Sequence, residues 1–159
     1  MIRVTLMSEL VGGFSPGAAG GHFKLVVPDR DETQADFERL IEGGVFKSEM
    51  RTYTIRNVRP YLNEIDVDIV THGDLGRVGP WAQRTKPGAP LVISRCGSPK
   101  IITKGMTRIL EAADMTGFPA LAAGIETLRE GVEVDAFVEI LGEDDRQPAA
   151  GAIPPSGVA

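Results

Sequence analysis

The sequence predicts a small antiparallel β-barrel followed by an α/β unit. Short β-like segments, separated by turns rich in glycine and proline, fill most of the first hundred residues, which is typical of small barrels. After Ser98-Pro99 a strand, a helix and a strand follow in turn, as they do at the start of a parallel α/β unit. The chain has 159 residues, enough for one ordinary domain or for a small domain and part of another.

The barrel part is predicted to contain five strands, a helical turn and a short helix. Residues 65–72 (IDVDIVTH) show the clearest strand pattern, because apolar and polar side chains alternate along them. A loop rich in glycine and alanine precedes the second strand, and Pro28 ends that strand. The predicted strands are residues 2–7, 22–27, 50–58, 65–72 and 90–94, with a helical turn around residues 34–41 and a short helix at residues 80–86.

The α/β part is predicted to begin after residue 98. Residues 101–113 are rich in apolar side chains and fit either a strand or a helix. Residues 118–128 fit a helix with Pro119 in its first turn, where a missing N–H costs little, and residues 132–141 fit a strand. We therefore expect a barrel domain at residues 1–98, a partial α/β segment at residues 99–145 and a disordered tail, rich in proline, glycine and alanine, at residues 146–159.

Composition and charge exclude several classes of protein. The net charge of -5 argues against a general nucleic-acid binder, because the phosphate backbone selects basic surfaces. Cys96 is the single cysteine, so an intramolecular disulfide is impossible and a reducing cytoplasm is expected. Zinc-site spacings of cysteine and histidine are absent, and we predict no metal site. No apolar segment has the length of a signal peptide or a membrane span, so we expect a cytoplasmic protein with no membrane span.

The segment R-T-Y-T-I-R, from Arg51 to Arg56, carries the strongest chemical signal. In an extended strand Arg51 and Tyr53 lie on one face, where a guanidinium grips phosphate oxygens and a phenol ring covers a planar heterocycle. Thr54 lies on the opposite face and would reach such a ligand through its backbone amide. These groups together fit a flavin nucleotide. The alternative is an ordinary barrel strand with a half-buried tyrosine and two solvated arginines.

Four stretches resemble one protein family when they are taken in order. They are H-F-K-L-V-V-P at residues 22–28, R-T-Y-T-I-R at residues 51–56, V-D-I-V-T-H-G-D at residues 67–74 with P-W-A and K-P-G after it, and A-D-M-T-G-F-P-A at residues 113–120. This series resembles the siderophore-interacting proteins, which are FAD-dependent ferric-siderophore reductases of the ferredoxin-reductase-like group. The resemblance extends from about Ile2 to Gln147.

The resemblance implies a Greek-key FAD-binding barrel followed by an NAD(P)H-binding α/β domain. It also implies electron transfer from NAD(P)H through FAD to the iron of a ferric siderophore. By match, Arg51 would hold the FAD phosphate, Tyr53 would pack on the isoalloxazine and Thr54 would contact its polar edge. No catalytic side chain is assigned. The other cofactor-binding residues implied are Val70, His72 and Gly73 along the cofactor, Trp81 and Ala82 near the pyrophosphate, and Asp114, Thr116, Pro119 and Ala120 beside the nicotinamide.

The sequence also departs from the family pattern. Arg77 stands where the family has a proline and Arg95 where it has a glycine, and we hypothesise that these cations pair directly with the pyrophosphate. Against the family pattern, we expect the first barrel strand to be missing before Ile2 and the rest of the α/β domain to be missing after about Gln147, which would leave the chain truncated at both ends.

Two alternatives therefore stay open. One is a truncated or decayed copy with weak or no flavin binding and no independent catalysis, and the other is a flavin-binding module without reductase activity. An unpaired sheet edge near residues 132–141 would favour self-association.

Overall fold

The computed structural model describes residues 1–9, 11, 14–44, 50–94, 96–99 and 105–147. Within these ranges the chain forms eight strands and three α-helices. The strands are β1 Ile2–Met7, β2 His22–Val26, β3 Arg51–Thr54, β4 Asn57–Arg59, β5 Glu64–Ile69, β6 Val92–Ile93, β7 Arg108–Ala113 and β8 Glu133–Val138. The helices are α1 Gln34–Glu42, α2 Val78–Arg84 and α3 Phe118–Glu126. In the described part of the chain, no helix has both the length and the apolar character that crossing a membrane requires.

Two three-stranded antiparallel sheets make up the first part of the molecule. Their strand orders are β1-β5-β4 and β3-β2-β6. Alternate side chains of each sheet point into a shared core, where Leu25 of β2 and Val67 of β5 are fully buried. Burying a side chain of this size stabilises the fold by about 2 kcal/mol. Among the described residues, backbone pairing does not close the two sheets into a continuous barrel.

The predicted strand at residues 50–58 is wrong as a single element, because the chain changes sheets within it. β3 pairs with β2, and β4 pairs with β5. Between them, Ile55 N donates to Gly21 O at 2.8 Å, whereas Arg56 N donates to Asp66 O at 2.8 Å. Successive residues thus bond to different sheets, which is how a strand turns a corner between packed sheets. Thr54 and Arg56 lie on either side of this corner.

Most other predicted elements are present, and their bounds differ by a few residues. β5 ends at Ile69, three residues before the predicted end, because the chain turns towards α2 there. α2 begins at Val78, so that Pro80 falls in its first turn, where the absent N–H leaves no helical hydrogen bond unmade. The predicted helical turn near residue 34 is a full helix. A capping box starts it, in which Thr33 Oγ1 accepts from Asp36 N and the Asp36 carboxylate accepts from Thr33 N.

The C-terminal part is a parallel β-α-β unit, as the strand-helix-strand pattern predicted. β7 and β8 pair in parallel, from Arg108 beside Glu133 to Ala113 beside Val138. The ambiguous segment at residues 101–113 is a strand from Arg108 onward, and residues 101–104 lie outside the described residues. Of the predicted disordered tail, residues 148–159 lie outside them too. α3 covers one face of the two strands, while Leu110 is 70% exposed on the other.

Candidate functional site

A cleft of about 950 Å³ lies between the first part of the molecule and the β-α-β unit. Its first wall includes Gly20, His22 and Thr54, and its second wall includes Asp114 and Ala120. Volumes of this size are typical of pockets that take cofactors and small molecules. The cleft therefore brings together three of the predicted cofactor-binding residues, Thr54, Asp114 and Ala120.

Arg51 and Tyr53 lie on the other face of β3 from Thr54. Tyr53 stands beside Phe23 of β2 and packs, half-buried, against the core. Burial raises the pKa of the Tyr53 phenol, and the charge of nearby Arg51 lowers it in part. The Arg51 side chain is exposed, and its Nη1 donates to Met50 O at 3.1 Å. The predicted alternation of side chains along this strand therefore agrees with the structure.

β3 is the outer strand of its sheet in the described part of the chain. An outer strand presents backbone N–H and C=O groups along its free edge. A long ligand that crossed this edge would contact Arg51 and Tyr53 on one face and Thr54 on the other. No single face of the strand therefore presents all three side chains.

Val70, His72 and Gly73 follow the end of β5. Val70 is half-buried, while His72 and Gly73 are exposed. Leu75 N donates to His72 O at 3.3 Å, which closes a turn with Gly73 at a φ of 60°. Glycine is the residue best suited to that left-handed backbone. These three residues do not line the cleft between the two walls.

Trp81 and Ala82 lie in the interior on α2. Trp81 is 3% exposed and belongs to the same core as the strands. Its indole Nε1–H is buried, and it has no hydrogen-bond partner among the described residues. The structure thus gives Trp81 a packing role, and any ligand contact would have to come through that unpaired N–H.

Asp114 holds the turn between β7 and α3 together. Its Oδ1 accepts hydrogen bonds from Thr116 Oγ1 at 2.7 Å, Thr116 N at 2.8 Å and Gly117 N at 2.7 Å. The Thr116 hydroxyl bond, followed by the backbone bond from Gly117, lowers the pKa of this carboxyl. Pro119 is buried in the first turn of α3, and Ala120 is exposed to the cleft. The carboxylate therefore fixes where α3 begins beside the cleft.

Sequence reasoning missed an ion pair that joins the two cleft walls. Arg56 donates from Nη1 and Nη2 to the Glu126 carboxylate of α3 at 2.7 and 2.5 Å, and Arg56 is only 8% exposed. If residues 51–56 formed an ordinary barrel strand, Arg56 was expected to face solvent. If they formed a flavin-binding strand, Arg56 was given no ligand. Its position next to Ile55 in the predicted strand gave no signal of a partner 70 residues away.

A second missed feature is a polar strip on the outer face of β2 and β3. His22 stands opposite Thr54, and Lys24 stands opposite Thr52 in the antiparallel register. Lys24 Nζ donates to Thr52 Oγ1 within this strip. The alternation H-F-K-L in β2, with Phe23 and Leu25 buried, could have placed these polar side chains together.

The two arginines that depart from the family pattern have different outcomes. Arg77 lies 3.1 Å from an Asp29 carboxylate oxygen and 3.7 Å from a Glu32 oxygen, so its charge already faces carboxylates. Arg95 lies outside the described residues. The neighbouring Cys96 thiol donates to Gly97 O at 3.1 Å, and burial raises its pKa.

Comparison with known proteins supplies a family match. A family model described as the siderophore-interacting FAD-binding domain matches residues 1–100. An uncharacterized protein of Mycobacterium tuberculosis is 32% identical over 153 residues, which are 91% of this chain and 54% of that protein. The ferric vibriobactin reductase ViuB of Vibrio cholerae is 28% identical over 152 residues, 92% of this chain and 55% of ViuB. The chain thus spans about half the length of these curated relatives.

Solved structures share the fold. The siderophore-interacting protein SipS from Aeromonas hydrophila superposes with a TM-score of 0.69 at 24% identity, over 93% of this chain and 56% of SipS. A siderophore utilization protein from T. fusca gives a TM-score of 0.67 at 24% identity, over 98% of this chain and 60% of that protein. The predicted fold class, a small antiparallel barrel followed by an α/β unit, is therefore confirmed, although the two sheets of the described residues do not close into a barrel.

Proposed function

Because the chain belongs to the siderophore-interacting FAD-binding domain family, whose model matches residues 1–100, we propose that it binds FAD and passes electrons from NAD(P)H to the iron of a ferric siderophore. One observation carries this proposal. The family-matched strand β3 ends at Thr54 in the cleft of about 950 Å³, and the opposite wall bears Asp114 and Ala120.

The residues along β3 fit a flavin dinucleotide. The exposed guanidinium of Arg51 binds the phosphates, and the half-buried ring of Tyr53 packs on the isoalloxazine. Thr54, at the corner of the strand, donates to the polar edge of the ring. Bound FAD supplies a group that accepts a hydride and releases its electrons one at a time, as reduction of ferric iron requires.

The remaining predicted residues take supporting positions in this proposal. Val70, His72 and Gly73 line the cofactor beyond β5, while Trp81 and Ala82 support the pyrophosphate from α2. Asp114 and Thr116 fix the turn at which Pro119 and Ala120 face the nicotinamide. The closed turn at Asp114 supports this role, since it keeps the start of α3 in place beside the cleft.

The ferric siderophore is proposed as the electron acceptor because the relative from Vibrio cholerae is a ferric vibriobactin reductase. We propose a cytoplasmic location, which cell fractionation checks. We also propose self-association through the outer edges of β7 and β8, which have no partner strand among the described residues, and sedimentation velocity over a range of concentrations checks this.

The experiment starts with the colour of the protein. FAD is added to the purified chain, and we expect a yellow peak after gel filtration that NADPH bleaches and a ferric siderophore restores. A colourless peak contradicts flavin binding and favours a decayed copy. A yellow peak that NADPH does not bleach contradicts the reductase activity and favours a flavin-binding module.

Substitution of Arg51 tests the phosphate contact within this experiment. Arg51→Ala is expected to weaken FAD binding about tenfold or more, because it removes a charge-assisted contact. The matched control is Arg39→Ala on α1, which removes an equally charged, exposed side chain from a different element. Equal FAD affinities for the two variants contradict the assignment of Arg51.

A further inference from the structure

The guanidinium of Arg56 is buried where the two parts of the molecule meet. Its Nη1 and Nη2 donate to Glu126 at 2.7 and 2.5 Å, and its Nε is 3.8 Å from an Asp68 carboxylate oxygen. Asp68 in turn accepts two hydrogen bonds from Arg3, at 2.7 and 2.8 Å. Arg3 thus donates hydrogen bonds to both carboxylate oxygens of Asp68. Glu126 is the carboxylate that accepts hydrogen bonds from both terminal nitrogens of Arg56.

A buried guanidinium needs such a partner, because a charge taken out of water and left unpaired is strongly destabilising. Arg56 belongs to the corner of the first sheets, whereas Glu126 ends α3. The pair therefore ties the position of α3 to the corner after β3. The tie is directional as well, since a bidentate guanidinium-carboxylate pair fixes orientation along with distance.

Both partners are close in sequence to residues that line the cleft, although Arg56 is buried and Glu126 is exposed. Thr54, two residues before Arg56, lines the first wall, and Gly124 and Thr127 on either side of Glu126 line the second. Gly20 of the first wall faces Ala123 of α3 nearby, since a Cβ built on Gly20 would lie 3.6 Å from Ala123 Cβ. Ala123 and Glu126 are three residues apart and share a helix face.

We propose that Arg56 and Glu126 are a positioning pair that sets the spacing between the two cleft walls. Neither residue touches the cleft itself. The pair acts through Thr54 on one side and through Gly124 and Thr127 on the other. For a bound flavin, this spacing aligns the ring at Thr54 with the turn before α3. That consequence rests on the proposed function.

The first test needs no flavin. Glu126→Gln keeps the shape of the side chain and removes its charge, and Glu130→Gln is the matched control, an exposed carboxyl beyond the end of α3. In hydrogen exchange of the free protein, the amides of α3 are expected to exchange about tenfold faster in Glu126→Gln, with those of β1 and β5 unchanged. Exchange of α3 equal to that of the control overturns the proposal.

A second variant guards against a misleading result at Glu126. Arg56→Lys keeps the charge but cannot donate from two nitrogens in the fork of a guanidinium. In Arg56→Lys we expect the α3 amides to exchange at rates between those of the wild type and those of Glu126→Gln. Wild-type exchange in both variants would show that α3 is held by its apolar contacts alone, and the proposal would be abandoned.

The second test uses the protein with FAD and separates positioning from simple support. Glu126→Gln is expected to keep its FAD dissociation constant within about threefold of the control. Quenching of the flavin fluorescence by iodide is expected to increase about twofold, because a wider cleft admits more solvent. Faster hydrogen exchange of the α3 amides with unchanged iodide quenching of the flavin overturns the positioning role. Failure of the wild type to retain FAD contradicts the proposed function alone, since hydrogen exchange still decides whether the pair holds the walls.

Discussion

Gly21 lies so close to Gly97 that a Cβ built on Gly21 would be 2.5 Å from the Gly97 carbonyl oxygen. The same Cβ would be 2.8 Å from Ala18 O, so backbone faces it on two sides. The approach is held by hydrogen bonds next to it, from His22 N to Gly97 O at 3.3 Å and from Gly97 N to His22 O at 2.7 Å. Two backbone segments therefore meet at the edge of the cleft where no side chain fits.

Gly21→Ala is predicted to lower the free energy of unfolding by about 3 kcal/mol, because a methyl group there forces backbone to move. Gly97→Ala is the matched control. Its Cβ would meet the His22 imidazole, 2.4 Å from Cε1, but that side chain is exposed and can rotate. The free energy of unfolding of this control, measured by urea unfolding, should fall by less than about 1 kcal/mol. Equal losses in the two variants would contradict the close approach.

The sequence predicted elements where local pattern decides the structure. The alternation in residues 65–72 indicated β5, the loop before His22 and Pro28 after Val27 bounded β2, and Pro119 with its apolar neighbours indicated α3. The corner at Ile55 and Arg56 was missed because R-T-Y-T-I-R continues the pattern of a strand. What bends the chain there is bonding to two distant segments, at Gly21 and at Asp66.

The features of the candidate site could likewise be predicted only in part. The alternation of side chains indicated that Arg51 and Tyr53 share a face, because a strand has a fixed period. The ion pair of Arg56 could not be predicted, since its partner is 70 residues away and any of several carboxylates would have served. Packing of the β-α-β unit onto the first sheets determines that Glu126 is the partner of Arg56. No local sequence pattern indicates how that unit packs.

Asp66→Asn is predicted to weaken the fold at neutral pH and to matter less in acid. Asp66 is 5% exposed and accepts from Arg59 at 2.5 and 2.7 Å, and these bonds hold the pKa of its carboxyl below the ordinary 3.8. Since the pKa is lowered in the folded state, the stabilisation is present above pH 3.8 and is lost as pH falls through the lower value. We expect a loss of about 3 kcal/mol near pH 7.

Urea unfolding at a series of pH values checks this prediction. The difference between the wild type and Asp66→Asn should shrink steadily below the ordinary pKa of a carboxyl. Asp31→Asn, an exposed carboxyl on the loop before α1, is the control and should change little. A difference that stays constant into acid would show that Asp66 contributes by packing and not by charge.

Tyr53 is predicted to ionise late. Burial raises its pKa above the ordinary 10.0, partly offset by Arg51. A pKa raised on folding means that the stabilisation is present below pH 10.0 and is lost as pH rises through the higher value. In an absorbance titration, the difference between the wild type and Tyr53→Phe should therefore have its midpoint above pH 10.0. A midpoint below that pH would contradict the packing of the ring.

Bound FAD should delay this ionisation further under the proposed function. A ring stacked on the phenol removes more water from it, and water favours the charged form. The midpoint of the difference titration should therefore rise when FAD is added. An unchanged midpoint in a sample that retains FAD would show that the flavin does not cover Tyr53, and the stacking assignment would be wrong.

Ala120→Trp is predicted to slow reduction by NADPH without releasing the flavin. Ala120 is exposed on the wall opposite Thr54, so a large ring there fills space in the cleft without disturbing the core. We expect FAD affinity within about threefold of the wild type and a rate of flavin reduction at least about tenfold slower. The control is Glu130→Trp, which adds the same ring outside the cleft. Stopped-flow measurement of flavin bleaching separates these outcomes. Equal rates in the two variants would mean that the donor reaches the flavin by a route other than the wall of α3, whereas loss of FAD from Ala120→Trp alone would mean that the flavin itself occupies the space beside Ala120.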